Sequence, residues 1–192
     1  MKRKSFVSTE RRPTDPTAAM STLSEMLACG KRNQTDDLGD LLEQSLENPA
    51  LVDELIDLAV DSRSNVAARA IWIVRQVAES EPRRLARRKR RVLGLLSGDL
   101  QWEVKAELCH ILPRLSLTHA DSKVVIAFFE SCQDDASKIV RAWSLNGLYE
   151  LSRSEPRLAT RVAAMIADAL EADSPAIRAR ARNILKQLKA SR

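Results

Sequence analysis

The sequence predicts an all-α protein, a right-handed α-solenoid of about four stacked helical hairpins preceded by one or two N-terminal capping helices. Three observations lead to this fold class. Ala, Leu, Arg and Glu dominate the composition, with only 5 glycines and 4% aromatic residues, a balance that favours helices over sheets. One apolar pattern recurs at intervals of about 37 residues, which is typical of stacked repeats. Within each recurrence the apolar residues follow the period of an α-helix.

The recurring pattern is clearest in the second helix of each hairpin. Its four copies read VAARAIWIVRQV from Val66, VKAELCHILPRL from Val104, VRAWSLNGLYEL from Val140 and IRARARNILKQL from Ile177. Their starts are 38, 36 and 37 residues apart, and apolar or small residues stand at offsets 0, 4, 8 and 11 in every copy. These offsets form one stripe along a helix, so we expect that stripe to be buried.

A first helix is predicted before each of these segments. An acidic residue marks the turn between the two helices: Asp61, Asp99, Asp135 and Asp173. The first helices carry the apolar pairs Leu55 and Leu58, Leu93 and Leu96, Phe129 and Cys132, and Ala167 and Leu170. Asp121 or Ser122 is the expected cap of the third of them. One hairpin cannot bury both of its faces, so neighbouring hairpins must stack.

Two hairpins begin with nearly the same junction, SEPRRLA from Ser80 and SEPRLA from Ser154. The two copies start 74 residues apart, which is two repeat periods. Ser80 and Ser154 are candidate helix caps. Pro82 and Pro156 fall in the first turn, where a missing N–H costs little. The repeated stretch is therefore interpreted as a structural junction rather than a catalytic motif.

The chain divides into three parts. Residues 1–19 carry prolines, hydroxyl residues and charges with few large apolar groups, which predicts a flexible tail. Residues 20–47 predict a short helix over 20–29 and a second helix capped by Thr35 or Asp36, and we expect these helices to cap the array. The repeat domain is assigned to residues 48–192, with hairpins at about 48–81, 82–120, 121–155 and 156–190.

The second helices resemble those of HEAT repeats, whose pattern runs Asp, then Val-Arg, then a small residue and two spaced leucines. Asp135 with Val140 and Arg141 matches this pattern, and the segment from Asp173 does so too. The resemblance covers residues 48–190. It implies a ladder of ion pairs between neighbouring repeats, weaker near Ala67, that involves Asp99, Asp135, Lys105, Arg141 and Arg178. Because such repeats serve many roles, the resemblance leaves the function open.

In HEAT-like solenoids the second helices line the concave surface, so the resemblance implies a groove along the offsets opposite the core stripe. Offset 2 is alanine in all four copies, which indicates close approach between helices. Offsets 6 and 9 supply the candidate groove residues Trp72, Arg75, His110, Asn146, Tyr149, Asn183 and Lys186. Trp, Tyr and Arg are the types that most often dominate interface energetics. The alternative is that Trp72 and Tyr149 fill gaps between repeats, and Trp102 and Trp143 are expected to be packing residues.

Charge is sorted along the chain. Residues 33–62 contain nine acidic residues and no basic one, whereas RRLARRKRR at 83–91 has seven basic residues in nine. The basic patch consists of Arg83, Arg84, Arg87, Arg88, Lys89, Arg90 and Arg91. The patch lies on a predicted outer helix, and the sequence leaves three roles open for it. They are a solvated helix face, a phosphate-binding surface for nucleic acid and a localisation signal. Head-to-tail self-association between the acidic part and a basic part of another copy is a further possibility.

The sequence offers little support for catalysis, a cofactor or a metal site. It contains no GxSxG, P-loop or GxGxxG motif, and its only histidines are His110 and His119. The three cysteines form no CxxC motif and are expected to be reduced thiols. HEAT-like alkylpurine DNA glycosylases act on DNA through aromatic residues and an acidic residue in a basic groove. Neither groove column here holds an acid, so a glycosylase is the less favoured alternative.

The main hypothesis is therefore a non-enzymatic HEAT-like scaffold, without a cofactor, that binds a protein or peptide in its concave groove. Nucleic-acid binding through the basic patch is the alternative. No apolar run approaches the ~18 residues of a membrane-spanning helix. A cytoplasmic location is expected.

Overall fold

A computed structural model describes the backbone of residues 16–190 and the side chains of residues 22–190. Every regular element in that part of the chain is helical, without a strand. The α-helices are α1 Pro16–Ala28, α2 Gly39–Glu47, α3 Pro49–Leu58, α4 Ser64–Ser80, α5 Pro82–Ala86, α6 Lys89–Gly94, α7 Trp102–Ile111, α8 His119–Ser131, α9 Lys138–Ser152, α10 Ala159–Leu170 and α11 Pro175–Ala190. Short 3₁₀ helices lie at Asp36–Leu38, Leu95–Ser97, Leu112–Arg114, Cys132–Asp134 and Pro156–Leu158.

The helices form stacked hairpins. α3, α5 with α6, α8 and α10 are the first helices, and α4, α7, α9 and α11 are the second helices. α3 packs on α4, α8 on α9 and α10 on α11, while the second helices touch one another in the order α4, α7, α9, α11. This arrangement confirms the predicted all-α solenoid. Its right-handed sense stays a prediction.

The predicted apolar stripe is the core of the array. Its first column is at most 6% exposed in all four copies, at Val66, Val104, Val140 and Ile177. Burying an aliphatic side chain of this size stabilises a fold by about 1.5–3 kcal/mol. The stripe weakens only near the end of α11, where Leu185 is half-buried and Leu188 is 38% exposed.

The first helix of the second hairpin is broken in two, whereas the sequence predicted a single helix. α5 ends at Ala86 and α6 begins at Lys89, with Arg87 and Arg88 between them. Basic residues spaced four apart, such as Arg83 and Arg87, repel one another on a continuous helix. The break leaves Arg83 on α5 and places Arg87 in the turn that follows it.

The repeated junctions begin their helical turns at proline, as predicted. Pro82 is the first residue of α5, and Pro156 opens the 3₁₀ helix before α10. The predicted serine caps are wrong. Ser80 is the last residue of α4, and the hydroxyl of Ser154 donates to a carbonyl in the last turn of α9. The physical reason is that a glutamate stands between each serine and its proline, so the serine is one residue too early to cap.

Local side-chain hydrogen bonds shape the other junctions. Thr118, rather than Asp121, is the cap of α8, and Asp121 completes a capping box by accepting from the Thr118 N–H. Asp61 and Asp135 each accept the N–H of the residue two positions further on, at 2.8 Å. Two of the predicted acidic turn residues therefore fold the turns that precede α4 and α9.

The N-terminal helices α1 and α2 pack against α4. Arg69 of α4, which the sequence analysis did not single out, holds the intervening linker. Its side chain is 1% exposed, donates to the Gln34 carbonyl and makes hydrogen bonds of 3.0 and 2.7 Å to the carboxylate of Asp37. Gly30 lies so close to this guanidinium that a Cβ would collide with it. Helix α1 includes residues 16–19, which were assigned to the tail; residues 1–15 lie outside the described residues.

Two cysteines meet between the second and third hairpins. The thiols of Cys109 and Cys132 are both buried, and each shifts the pKa of the other. Burial raises the pKa of the Cys109 thiol well above its ordinary range, so it stays protonated at neutral pH. Cys29, in contrast, is exposed.

Candidate binding pocket

A pocket of about 340 Å³ lies where α4, α7 and α9 come together with the linker between α1 and α2. We call it the tryptophan pocket, because all three tryptophans of the chain line it: Trp72, Trp102 and Trp143. His110, Glu103 and Glu107 add polar groups, and three linker residues, Arg32, Asn33 and Thr35, form a further wall. Trp72 and His110 stand at offset 6, opposite the core stripe. The pocket therefore opens on the side of the second helices that is turned away from the core, here called the second-helix face.

The space for the pocket comes from the alanine column. Ala68 of α4 and Ala106 of α7 both line the pocket, and both are buried. Alanine has no atoms beyond Cβ, so α4 and α7 leave room between their larger neighbours. In α11 the corresponding Ala179 is exposed. The alanines at offset 2, which were predicted to allow close approach between helices, thus also leave space for the pocket.

Trp143, in the pocket lining, contacts two further side chains, His110 and Arg180. The rings of His110 and Trp143 lie 3.8 Å apart between centroids, at an interplanar angle of 51°. The guanidinium carbon of Arg180 lies 3.4 Å from the centroid of the Trp143 ring, in a cation–π contact. Burial lowers the pKa of His110 to about 4, helped by the positive charges of Arg75, Arg114 and Arg180. His110 is therefore neutral at pH 7.

Two glutamates bring carboxylates to the pocket. Glu103 is only 8% exposed; one of its oxygens pairs with Arg32 of the linker, and the other, Oε2, is buried without a hydrogen-bond partner. Oε2 of Glu107 lies 2.6 Å from Nε of Arg75, as an ion pair without the alignment of a hydrogen bond. Burial raises the pKa of Glu107, and the nearby Arg75 opposes that rise. The pocket thus combines apolar rings with incompletely paired acceptors.

The structure separates the predicted groove residues. Trp72 and His110 line the pocket, and Arg75 pairs with Glu107 beside it. Three further groove candidates lie outside the pocket lining: Asn146 is half-buried, and Asn183 and Lys186 are exposed. The prediction that Tyr149 is a groove residue is wrong, because Tyr149 is 5% exposed within the hydrophobic core and is not open to a partner. This burial agrees with the alternative interpretation of Tyr149 as a packing residue rather than a groove residue.

Trp102 and Trp143, expected to be packing residues, are pocket residues. Both also pack against a small buried cluster that contains Val140. A sequence signal for them existed. Trp102 and His110 are eight residues apart, two turns along one face of α7, so extending the alanine column one turn upstream reaches Trp102. On α9, Trp143 lies one position away from that column.

The basic patch is partly neutralised within the chain. Arg88 pairs with Asp53 at 2.8 Å, Lys89 with Asp121 at 2.6 Å and Arg91 with Asp57 at 2.5 Å. The acidic segment of α3 therefore supplies partners to the basic segment of the next hairpin. These pairs occupy two of the carboxylates that head-to-tail self-association would use, and that possibility stays a prediction.

Four arginines of the patch have no ion pair among the described residues: Arg83, Arg84, Arg87 and Arg90. They border two adjoining surface recesses of about 380 and 260 Å³, which share Arg87 and Arg88. Each recess also holds one carboxylate, from Glu47 or Asp53. The recesses therefore keep a positive balance after the internal ion pairs are counted.

The ladder implied by the HEAT resemblance forms in part. Lys105 of α7 pairs with Asp135 of the next hairpin at 2.8 Å. Arg178 instead donates to the backbone carbonyls of Ala172 and Asp173 in the turn before its own helix. Arg178 therefore bonds within its own hairpin, because the turn before α11 brings these two carbonyls within reach of its guanidinium.

None of the helices in residues 16–190 is long and apolar enough to cross a membrane. In the same residues, no three side chains of His, Cys, Asp or Glu come together as a metal site would require.

A family model described as a HEAT repeat domain matches residues 24–188. The match begins within α1, upstream of the residues that carried the resemblance, and includes the last turn of α1 and the whole of α2. No curated protein and no solved structure matches the chain. Because the family model spans well over half of the sequence and the helices stack as its repeats require, the chain belongs to the HEAT repeat family.

Proposed function

We propose that this protein is a scaffold that binds a segment of a partner protein on its second-helix face, without catalysing a reaction. The tryptophan pocket is the observation that carries the proposal. Stacked repeats present a long continuous surface, and a pocket in that surface gives the partner a fixed anchor point.

The chemistry of the pocket suits an anchor residue of a partner. Trp72, Trp102 and Trp143 are each partly exposed, so an inserted side chain would remove apolar ring surface from water. Aromatic pockets of this kind hold the few residues that dominate the binding energy of an interface. The exposed Asn183 and Lys186 on α11 extend the same face and supply polar contacts along it.

The test is a double substitution, Trp72→Ala with Trp143→Ala, in the full chain. Tagged wild-type protein and variant are used to capture partners from a native lysate, and the captured proteins are identified by mass spectrometry. Val124→Ala is the matched control, since Val124 is 51% exposed on α8, outside the pocket lining. We expect specific partners to be lost from the double variant and retained by the control.

Retention of the same partners by a double variant with an unchanged circular dichroism spectrum would contradict the proposal. Because Trp143 also packs against buried residues, the single variant Trp72→Ala is measured alongside. It is expected to lower partner affinity on its own, by about 10-fold or more, as truncation of an interface anchor does.

Nucleic-acid binding is a second candidate function, favoured by the basic patch. Two recesses that share Arg87 and Arg88 suit a repeating anion, such as a phosphodiester backbone, better than a single phosphate. The unpaired Arg83, Arg84, Arg87 and Arg90 would supply the contacts.

The assay is fluorescence anisotropy with a labelled duplex DNA and a labelled single-stranded RNA over a salt series. The triple variant Arg83→Ala, Arg87→Ala and Arg90→Ala is expected to reduce the slope of log K against log salt on duplex DNA by about 2 to 3. Arg153→Ala is the control, because Arg153 is an exposed base on another hairpin. Absence of binding to either nucleic acid at 50 mM salt would remove this candidate.

A further inference from the structure

We propose that the tryptophan pocket is selective for the guanidinium side chain of an arginine in the partner segment. This inference rests on the proposed function and names the anchor residue. It follows from a combination of three features in one place: unpartnered carboxylate oxygens, indole faces, and a side chain of the protein itself that already shows the contact.

The first feature is the carboxylate of Glu103. It is more than nine-tenths buried, and Arg32 satisfies only one of its two oxygens. A buried acceptor without a partner costs about 1–3 kcal/mol. A ligand guanidinium that displaces Arg32 would donate to both oxygens at once, because its two parallel N–H groups match the geometry of a carboxylate. The buried Oε2 would then gain the hydrogen bond that it lacks.

The second feature is the aromatic lining. A planar guanidinium stacks on an indole face through both dispersion and cation–π attraction, and tryptophan is the best ring for this contact. Trp143 already makes it with Arg180, at 3.4 Å. Trp72 and Trp102 line the same pocket, whose volume of about 340 Å³ accommodates an arginine side chain. Lysine lacks the plane that would stack on these rings.

The charges around the pocket decide what kind of selectivity to expect. Arg32, Arg75 and Arg180 face or border it, against the carboxylates of Glu103 and Glu107. Because these charges of opposite sign balance, the pocket has no net negative charge that would attract a cation over a long distance. The selectivity for arginine must therefore come from direct contacts, which the ligand makes when it replaces Arg32. The Arg32 side chain is 44% exposed and belongs to the linker, so a ligand can displace it without unpacking a repeat helix.

The experiment uses the full chain and two small probes. Nα-acetyl-L-arginine amide carries the guanidinium, and Nα-acetyl-L-citrulline amide has the same shape without the charge. All three tryptophans lie in the pocket, so selectively excited tryptophan fluorescence reports on the pocket. We expect saturable quenching by both probes, with a Kd about 5- to 30-fold lower for the arginine probe, as cation–π contact and a charged hydrogen bond would give.

Two variants are expected to shift the arginine affinity in opposite directions. Glu103→Gln keeps the shape but removes the charge, and it should abolish the preference for arginine over citrulline. Arg32→Ala removes the competitor, and it should strengthen arginine binding several-fold. A merely structural role of either residue does not produce opposite signs. If Glu103→Gln fails to fold by circular dichroism, Arg32→Ala still decides, because unchanged or weaker binding by that variant overturns the inference.

Equal affinity for the two probes in the wild-type chain also overturns the inference. That failure is distinguishable from failure of the proposed function. A partner that is lost on Trp72→Ala without any arginine preference leaves the scaffold function standing and removes the arginine assignment. If quenching is arginine-selective but the captured partners are retained by the tryptophan variants, the arginine site stands and the proposed partner anchor is removed.

Discussion

Gly147 is the position where one added methyl group tests the packing of the third hairpin. It lies within α9, which carries Trp143, and it faces Phe129 of α8. A Cβ at this position would lie 2.7, 2.8 and 3.0 Å from Cζ, Cε1 and Cε2 of the Phe129 ring. Phe129 is fully buried and stands beside Phe128, with 6.0 Å between ring centroids, so a shift of its ring disturbs other contacts in the core.

Two opposing terms set the effect of Gly147→Ala. Alanine is the better helix former by about 1 kcal/mol. Forcing an extra methyl group into a packed core costs about 1–3 kcal/mol, and contact with three ring atoms places this site at the upper end. The net destabilisation is then about 1–2 kcal/mol. For a chain of this length that lowers the Tm by about 2–8 °C.

The assay is thermal and urea unfolding followed by circular dichroism. Gly94→Ala is the matched control, because a Cβ there meets no atom within 4 Å, and this variant should be neutral or slightly stabilised. Adding Phe129→Leu to Gly147→Ala should make the two substitutions non-additive by at least about 0.5 kcal/mol, since the smaller side chain relieves the contact. If Gly147→Ala is as stable as Gly94→Ala, the packing of α8 on α9 described above is refuted.

Three further predictions concern charged or titrating side chains. Protonation of His110 should destabilise the fold, because its pKa of about 4 in the folded state lies below the ordinary value. The unfolded state therefore binds more protons between about pH 6.5 and 4, so the free energy of unfolding falls as pH falls through that window. The expected fall is about 1–2 kcal/mol after allowing for the partial exposure of the ring. Urea unfolding at the two ends of that pH window should show this fall in the free energy of unfolding for the wild type but not for His110→Gln. An equal fall in both proteins would contradict the prediction. Lys89→Met should raise the pKa of Asp121 from about 2 toward the ordinary value, since Lys89 is the main cause of its lowering; a carboxyl titration by NMR that stays near 2 would contradict this. Arg69→Met should speed amide exchange of residues 30–38 by about 10-fold through loss of the pair with Asp37, whereas the exposed Arg63→Met should leave it unchanged.

The internal ion pairs show where sequence reasoning reached its limit on charge. The acidic and basic runs were visible as separate blocks, and each was given its own role. In the fold, α3 and the α5–α6 region lie side by side, so Asp53 and Asp57 neutralise Arg88 and Arg91. A count of charges along the chain cannot distinguish paired arginines from free ones, because the pairs join residues more than thirty positions apart.

The sequence by itself determined the helical hairpins, their period and the buried stripe. These features depend on the pitch of one helix, so a local pattern is enough to identify Val66, Val104 and Val140 as core residues. It also identified Trp72 and His110 as residues of the opposite face. Helix geometry alone says which way a side chain points from its own helix.

Only the tertiary structure decided which of those side chains meet. The tryptophan pocket joins three helices and a linker, and its Arg32–Glu103 pair spans 71 residues of sequence. In the packed array Tyr149 is buried in the core, whereas Trp102 and Trp143 line the pocket. Which side chains become buried depends on how the side chains of neighbouring helices interlock, which is a property of the packed array and not of any one repeat.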